Sequence, residues 1–168
     1  MILERHRSSG FTLIEMLVYL GIFMLVSTAS VTFLLSLDDF IDQYKVETAL
    51  YRSGTNLMEQ IVVELRQADQ YDAANSVIEN PSTGVLAILN GAATTRFTKT
   101  GSNIVLTKSG VSYGNLNTAD VNVTAFTVYR YVTAAGTLVR VHVRLSSTVD
   151  QTTKVVDLYG GAVIRGAI

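Results

Sequence analysis

Three hydrophobic patterns follow one another along the chain. From Met16 to Leu37 the sequence reads MLVYLGIFMLVSTASVTFLLSL, with neither a charged residue nor a proline. At about 1.5 Å rise per residue this is roughly 33 Å of helix, enough to cross a hydrocarbon core of about 30 Å. Past Leu37 the helical period continues, with Leu50, Leu57, Met58, Ile61, Leu65 and Ala68 on one face and Glu47, Arg52, Glu59, Glu64 and Arg66 on the other. Gly54 weakens this helix without ending it. One helix from about residue 11 to about residue 70 is therefore predicted, apolar all round in its first half and striped in its second.

Near Asp72 to Pro81 the pattern changes to period-two or short apolar runs rich in Val, Thr and Tyr. Strands are predicted at Gly84 to Leu89, Arg96 to Thr100, Ile104 to Lys108, Val121 to Val132, Leu138 to Val149 and Thr153 to Tyr159. Glycine-containing turns at Thr100 to Asn103 and Thr133 to Thr137 allow antiparallel hairpins. In VRVHVRL, Val139, Val141, Val143 and Leu145 face one way and Arg140, His142 and Arg144 the other. The valine face is the natural cover for the helical stripe. The predicted fold class is α+β: a long N-terminal helix packed on an antiparallel β-sheet domain. The predicted organisation is a leader over 1–10, a spanning helix over 11–37, its amphipathic continuation over 38–71 and a strand-rich domain over 72–168.

Charge gives this layout a direction. Arg5, His6 and Arg7 precede the apolar run and Asp38, Asp39 and Asp42 follow it, so the N-terminus is expected inside and the domain after Leu37 exported. The formal net charge is −1, which leaves no whole-protein field to gather nucleic acid. Arg140, His142 and Arg144, with Arg130 and Tyr129, could form a basic, aromatic strand face, but alternating cations on a strand are expected to be a solvated face. There is no cysteine and only two histidines, and no serine sits in a nucleophile motif. Asp69 with Asp72 is sparse for a calcium loop. Neither an enzyme nor a bound cofactor is expected.

The segment RSSGFTLIEMLVYLGIF resembles the class III signal of type IV pilins and type II secretion pseudopilins. Arg5 and Arg7 correspond to the basic leader, Gly10 to the residue before cleavage, Phe11 to the new N-terminus and Glu15 to the acidic fifth residue of the processed chain. The resemblance implies that a membrane prepilin peptidase cuts between Gly10 and Phe11 and methylates the freed amine. It implies further partners: other pilin or pseudopilin subunits, an inner-membrane assembly platform and a cytoplasmic ATPase, in a fibre of packed N-terminal helices. The protein would sit in the inner membrane before assembly. NLMEQIVVELRQADQY and VVDLYGGAVIRG resemble the helix end and closing strand of J-type minor pseudopilins and related minor pilins. The only proline is Pro81, whereas major pilins commonly carry one in the spanning helix; this favours a minor subunit.

Glu15 supports the same reading on physical grounds. At the middle of a bilayer an acidic side chain costs about 2.5 to 3.5 kcal/mol on insertion scales, and such groups are retained with a partner. Cleavage after Gly10 would create one in the Phe11 amine, four residues away on one helical face. Between chains, the same pair could register subunits in a fibre. Other readings share the apolar run. Glu15 could be merely juxtamembrane, the helix could be a plain anchor, or Ser27, Thr28 and Ala29 could mark a conventional secretory signal releasing a chain that starts at Ser30. The alternative function is then a non-assembling anchored or secreted domain that binds DNA or a surface ligand.

Overall fold

The computed structural model describes residues 12–133, 136–150 and 152–164. One helix, α1, spans Leu13–Gln67. The chain divides into two compact units, the first ending at Ile41 and the second beginning at Asp42. In the first unit the described residues are helical from Leu13 onward and nearly all exposed, and no charged residue follows Glu15 until Asp38. Four hydroxyls inside this apolar stretch bond back to the helix itself. Thr28 donates to the Met24 carbonyl at 2.9 Å, Ser30 to Val26 at 2.8 Å, Thr32 to Thr28 at 3.0 Å and Ser36 to Thr32 at 3.0 Å. These bonds let the four side chains sit in an apolar segment with their donors satisfied.

In the second unit α1 buries Val46, Leu50, Ser53, Gly54, Leu57, Ile61 and Leu65, the spacing of one helical face. Strands β1 (Gln70–Tyr71), β2 (Val85–Asn90), β3 (Ala93–Thr100), β4 (Asn103–Lys108) and β5 (Val111–Asn115) form one antiparallel sheet in sequential order. Strands β6 (Asn122–Thr133), β7 (Gly136–Val149) and β8 (Thr152–Ile164) form a second. The expected antiparallel β domain is thus present, divided in two. The division falls at residues 116–121, where the Asn117 side chain ties the connecting chain to the start of β4. Its carbonyl oxygen accepts the Ile104 N–H at 3.1 Å, and its amide donates to the Val121 carbonyl at 2.6 Å and to Asn103 Oδ1 at 3.0 Å.

The core joins both sheets to the helix. Val139, Val141, Val143 and Leu145 of β7 are fully buried, as the alternation predicts, together with Phe97, Leu86, Ile104 and Phe126. At roughly 1.5–3 kcal/mol for each fully buried large aliphatic side chain, the Leu50, Leu57, Ile61 and Leu65 stripe is a main source of the helix's attachment. Two helix carboxylates assigned to the solvated face turn out to clasp strand lysines. Glu64 accepts from Lys108 of β4 at 2.5 Å, and Glu47 accepts from Lys154 of β8. Ser53, buried on the helix, accepts the Thr118 N–H at 3.2 Å.

Two elements, β1 and β5, extend the predicted set. Strand β5 follows a two-residue turn in which Ser109 and Gly110 both have positive φ (48° and 81°), the backbone that suits right-twisted hairpins. Its residues are all exposed, so no buried alternation marked it in the sequence.

Two glycines mark close approaches of different stiffness. A Cβ at Gly54 would meet the tip of Leu158 at 2.5 Å and that of Leu145 at 3.0 Å, whereas one at Gly84 would meet the Phe126 carbonyl oxygen at 1.9 Å. Backbone cannot swing aside as a leucine methyl can. Gly84→Ala is expected to destabilise by roughly 1–3 kcal/mol. Gly54→Ala should cost less, because alanine regains about 1 kcal/mol of helix propensity. Denaturant unfolding of the full chain in detergent checks the order.

Candidate functional site

The head of α1 is built by a short-range motif. Thr12 precedes the first helical residue, and its hydroxyl oxygen accepts the Glu15 N–H at 3.3 Å. Glu15 Oε2 in turn accepts the Thr12 backbone N–H at 3.2 Å and the Thr12 hydroxyl at 3.3 Å. This reciprocal arrangement is a capping box, which satisfies otherwise unpartnered backbone donors at a helix start. The carboxylate also lies where the helix dipole favours negative charge. Sequence reasoning singled out Glu15 for its charge. Thr12 was missed, although the Thr-x-x-Glu spacing at the mouth of an apolar run is itself the signal.

Gly10 and Phe11, the predicted cleavage and methylation positions, lie outside the described residues, as do Arg5, His6 and Arg7. The residue after Phe11 is nevertheless fixed, and its N–H is already held by the Glu15 carboxylate. Whatever group ends the chain at Phe11 is therefore attached directly to a residue bonded to Glu15. Chemically, the site offers a hydrogen-bonded carboxylate at the head of an apolar helix.

The strand face raised as a candidate binding surface is more committed than its pattern suggests. Arg140, His142 and Arg144 of β7 interleave with Tyr159 and Asp157 of β8. The Tyr159 ring stacks on His142 at 4.6 Å between centroids, and the Arg140 guanidinium lies 5.0 Å from the same ring. Asp157 accepts from His142 Nε2 at 2.7 Å and from Arg144 Nε at 2.8 Å, with a second Arg144 bond at 3.2 Å. This ladder fixes the β7–β8 register through cross-strand pairs. Its cations are largely occupied. Arg130 projects elsewhere, its guanidinium 5.5 Å from the Tyr71 ring, and Tyr129 lies opposite Arg140 in the β6–β7 register. Arg144, then His142, hold the Asp157 carboxyl below the ordinary value of 3.8.

Asp69 and Asp72 are also spoken for. Asp69 Oδ2 accepts the Gly91 N–H at 2.7 Å. Asp72 closes a turn, accepting the Ala74 and Asn75 N–H groups at 3.1 Å and the Asn75 side-chain amide at 2.6 Å. The latter bond chiefly accounts for its lowered pKa.

Residues 5–31 match the prokaryotic N-terminal methylation motif, the signal of type IV pilins and pseudopilins. Comparison with curated proteins and with solved structures returns no match. The signal and the helix-on-sheets fold agree with a type IV pilin- or pseudopilin-like precursor, and α1 is long and apolar enough to cross a membrane.

Because the Asp157 carboxyl titrates lower in the fold than in an unfolded chain, its contribution to stability is present above the ordinary pKa of 3.8 and is lost as pH falls through the folded value. The face is partly exposed, so the effect is about 1 kcal/mol or less. Asp157→Asn should lower the unfolding midpoint at neutral pH, and the gap from the unaltered protein should close as pH drops below the carboxylate range.

Proposed function

We propose that this chain is a minor pilin or pseudopilin, a structural rather than catalytic subunit of a type IV pilus or a type II secretion pseudopilus. A prepilin peptidase removes residues 1–10, cutting after Gly10, and methylates Phe11. The helix over 11–37 first anchors the protein in the inner membrane with its N-terminus inside. It then packs among the helices of other subunits. Residues 38–67 continue it, and the strand-rich domain that follows is exported. A place in the short tip complex that starts assembly, in a J-type-like position, agrees with the absence of a proline from the helix and with the NLMEQIVVELRQADQY passage.

The observation that carries this reading is the methylation motif over residues 5–31 with Glu15 at the head of a long apolar helix. An anionic side chain there needs compensation, and the amine made by cleavage supplies it. Within a subunit the pair neutralises the helix start; between subunits it gives an incoming helix one depth at which both charges are met. The inner-membrane platform and the assembly ATPase would act on the protein in this form.

The capping box gives Glu15 a second role, and two substitutions separate the roles. Glu15→Gln keeps an acceptor for the Thr12 N–H while removing the charge, whereas Glu15→Ala removes both. If charge pairing drives assembly, both variants are cleaved and both fail to enter the fibre, as read by immunoblotting of sheared fibres against membranes. Normal incorporation of Glu15→Gln contradicts the charge-pairing role. Thr12→Ala, which loses a cap worth about 1 kcal/mol, should be incorporated at a reduced level.

A further inference from the structure

The two sheets treat their edges differently. Strand β6 is bordered by the rest of the domain: the Glu79 N–H donates to the Val128 carbonyl at 2.9 Å, the Phe126 N–H to Pro81 at 3.0 Å and the Val123 N–H to Ser102 at 2.8 Å. Strand β5 is short, and its pairing with β4 is broken by a register shift at Leu106/Thr107. Strand β8 has neither protection. It runs Thr152–Ile164, pairs with β7 in unbroken register and, among the described residues, with no strand on its other side. Alternate residues of such a strand direct unpaired N–H and C=O groups outward. It contains no proline. Its Lys154 is tied to Glu47, and its Asp157 to Arg144 and His142.

A groove of about 480 Å³ lies beside this edge, where Met58, Val62 and Val63 of α1 face Leu158, Tyr159 and Gly160 of β8. Gly160 keeps it open: a Cβ there would meet Met58 Cε at 2.4 Å and Val62 Cγ2 at 3.1 Å. Glu59 and Arg66 also line it, both exposed and both without an ion-pair partner among the described residues. Together these provide backbone hydrogen-bonding groups, an apolar trough and one charge of each sign.

The direction of α1 selects the occupant. Glu47 meets Lys154, Gly54 lies against Leu158, Met58 lies against Gly160, and Arg66 shares a cleft with Gly161 and Val163. This stretch of helix therefore runs alongside β8 in the same direction. Antiparallel pairing of β8 with β8 of a second copy would point the two helices opposite ways. Resting on the membrane-anchored reading above, that disfavours a symmetric pair, since the Asp42 ends of the two helical stretches, from which the chains lead to the membrane, would lie at opposite ends of the joined sheet.

We propose that the open edge of β8 is a docking site for an extended strand of a different subunit. The incoming strand lies antiparallel to β8, with apolar side chains in the groove, an acidic side chain at Arg66 and a basic one at Glu59. Main-chain bonds supply affinity, and the two charges set direction and register.

The test uses the full chain in phospholipid nanodiscs and two labelled peptides. Val-Thr-Asp-Thr-Val-Thr-Lys-Thr-Val places its acid toward Arg66 when antiparallel to β8; Val-Thr-Lys-Thr-Val-Thr-Asp-Thr-Val reverses the charges. The first should bind, slow amide hydrogen exchange at alternate residues of β8 but not of β5, and bind about fivefold tighter than the second by fluorescence anisotropy. The exposed double substitution Glu59→Arg with Arg66→Glu should invert that preference. Unchanged exchange in β8, or a preference indifferent to the charge swap, overturns the proposal. Both readouts are independent of leader cleavage, so failure here and failure of the pilin reading are separate results.

Discussion

A carboxylate at the mouth of an apolar helix constrains everything around it. Glu15 is followed by no charged residue until Asp38, and among the described residues its hydrogen-bond donors come from Thr12. Those bonds orient the carboxylate and start the helix, and neither of them brings a positive charge. A cation at Phe11 would complete the site, and cleavage at Gly10 is the chemistry that makes one. On this view the leader does more than direct export. Under the proposed function, keeping the Phe11 nitrogen in an amide would delay the charge pair until a peptidase has acted, and so would couple processing to competence for assembly.

The remainder of the molecule presents that helix while keeping its other half occupied. Leu50, Leu57, Ile61 and Leu65 bind the second half of α1 to two sheets, and Glu47 and Glu64 clasp lysines on strands from each sheet. Gly54 and Gly160 bring helix and sheet close together. In the first unit the apolar side chains of α1 are exposed, which suits bilayer or neighbouring helices but not water.

Much of this was legible in the sequence where a physical period was strong. The stripe from Leu50 to Ala68 and the alternating Val139 to Leu145 both mark buried faces, and the α+β architecture follows from them. Glycine turns located two hairpins. What escaped was decided by partners distant in sequence. Nothing around Glu64 points to Lys108, and nothing near Ser53 to Thr118. Arg140, His142 and Arg144 read as a solvated cationic face because Asp157 and Tyr159, which interleave with them, come from the next strand in a register the sequence does not state. At the helix start the order of success was reversed: family resemblance drew notice to Glu15, while the local Thr12 cap was the simpler feature to read.

The coupling of processing to charge is tested most directly at the chain's own N-terminus. Intact-mass and N-terminal fragment analysis of the protein from native membranes and fibres should give a chain beginning at N-methylated Phe11. A functional protein that retains Met1 through Gly10, or one that begins at Ser30, would contradict it.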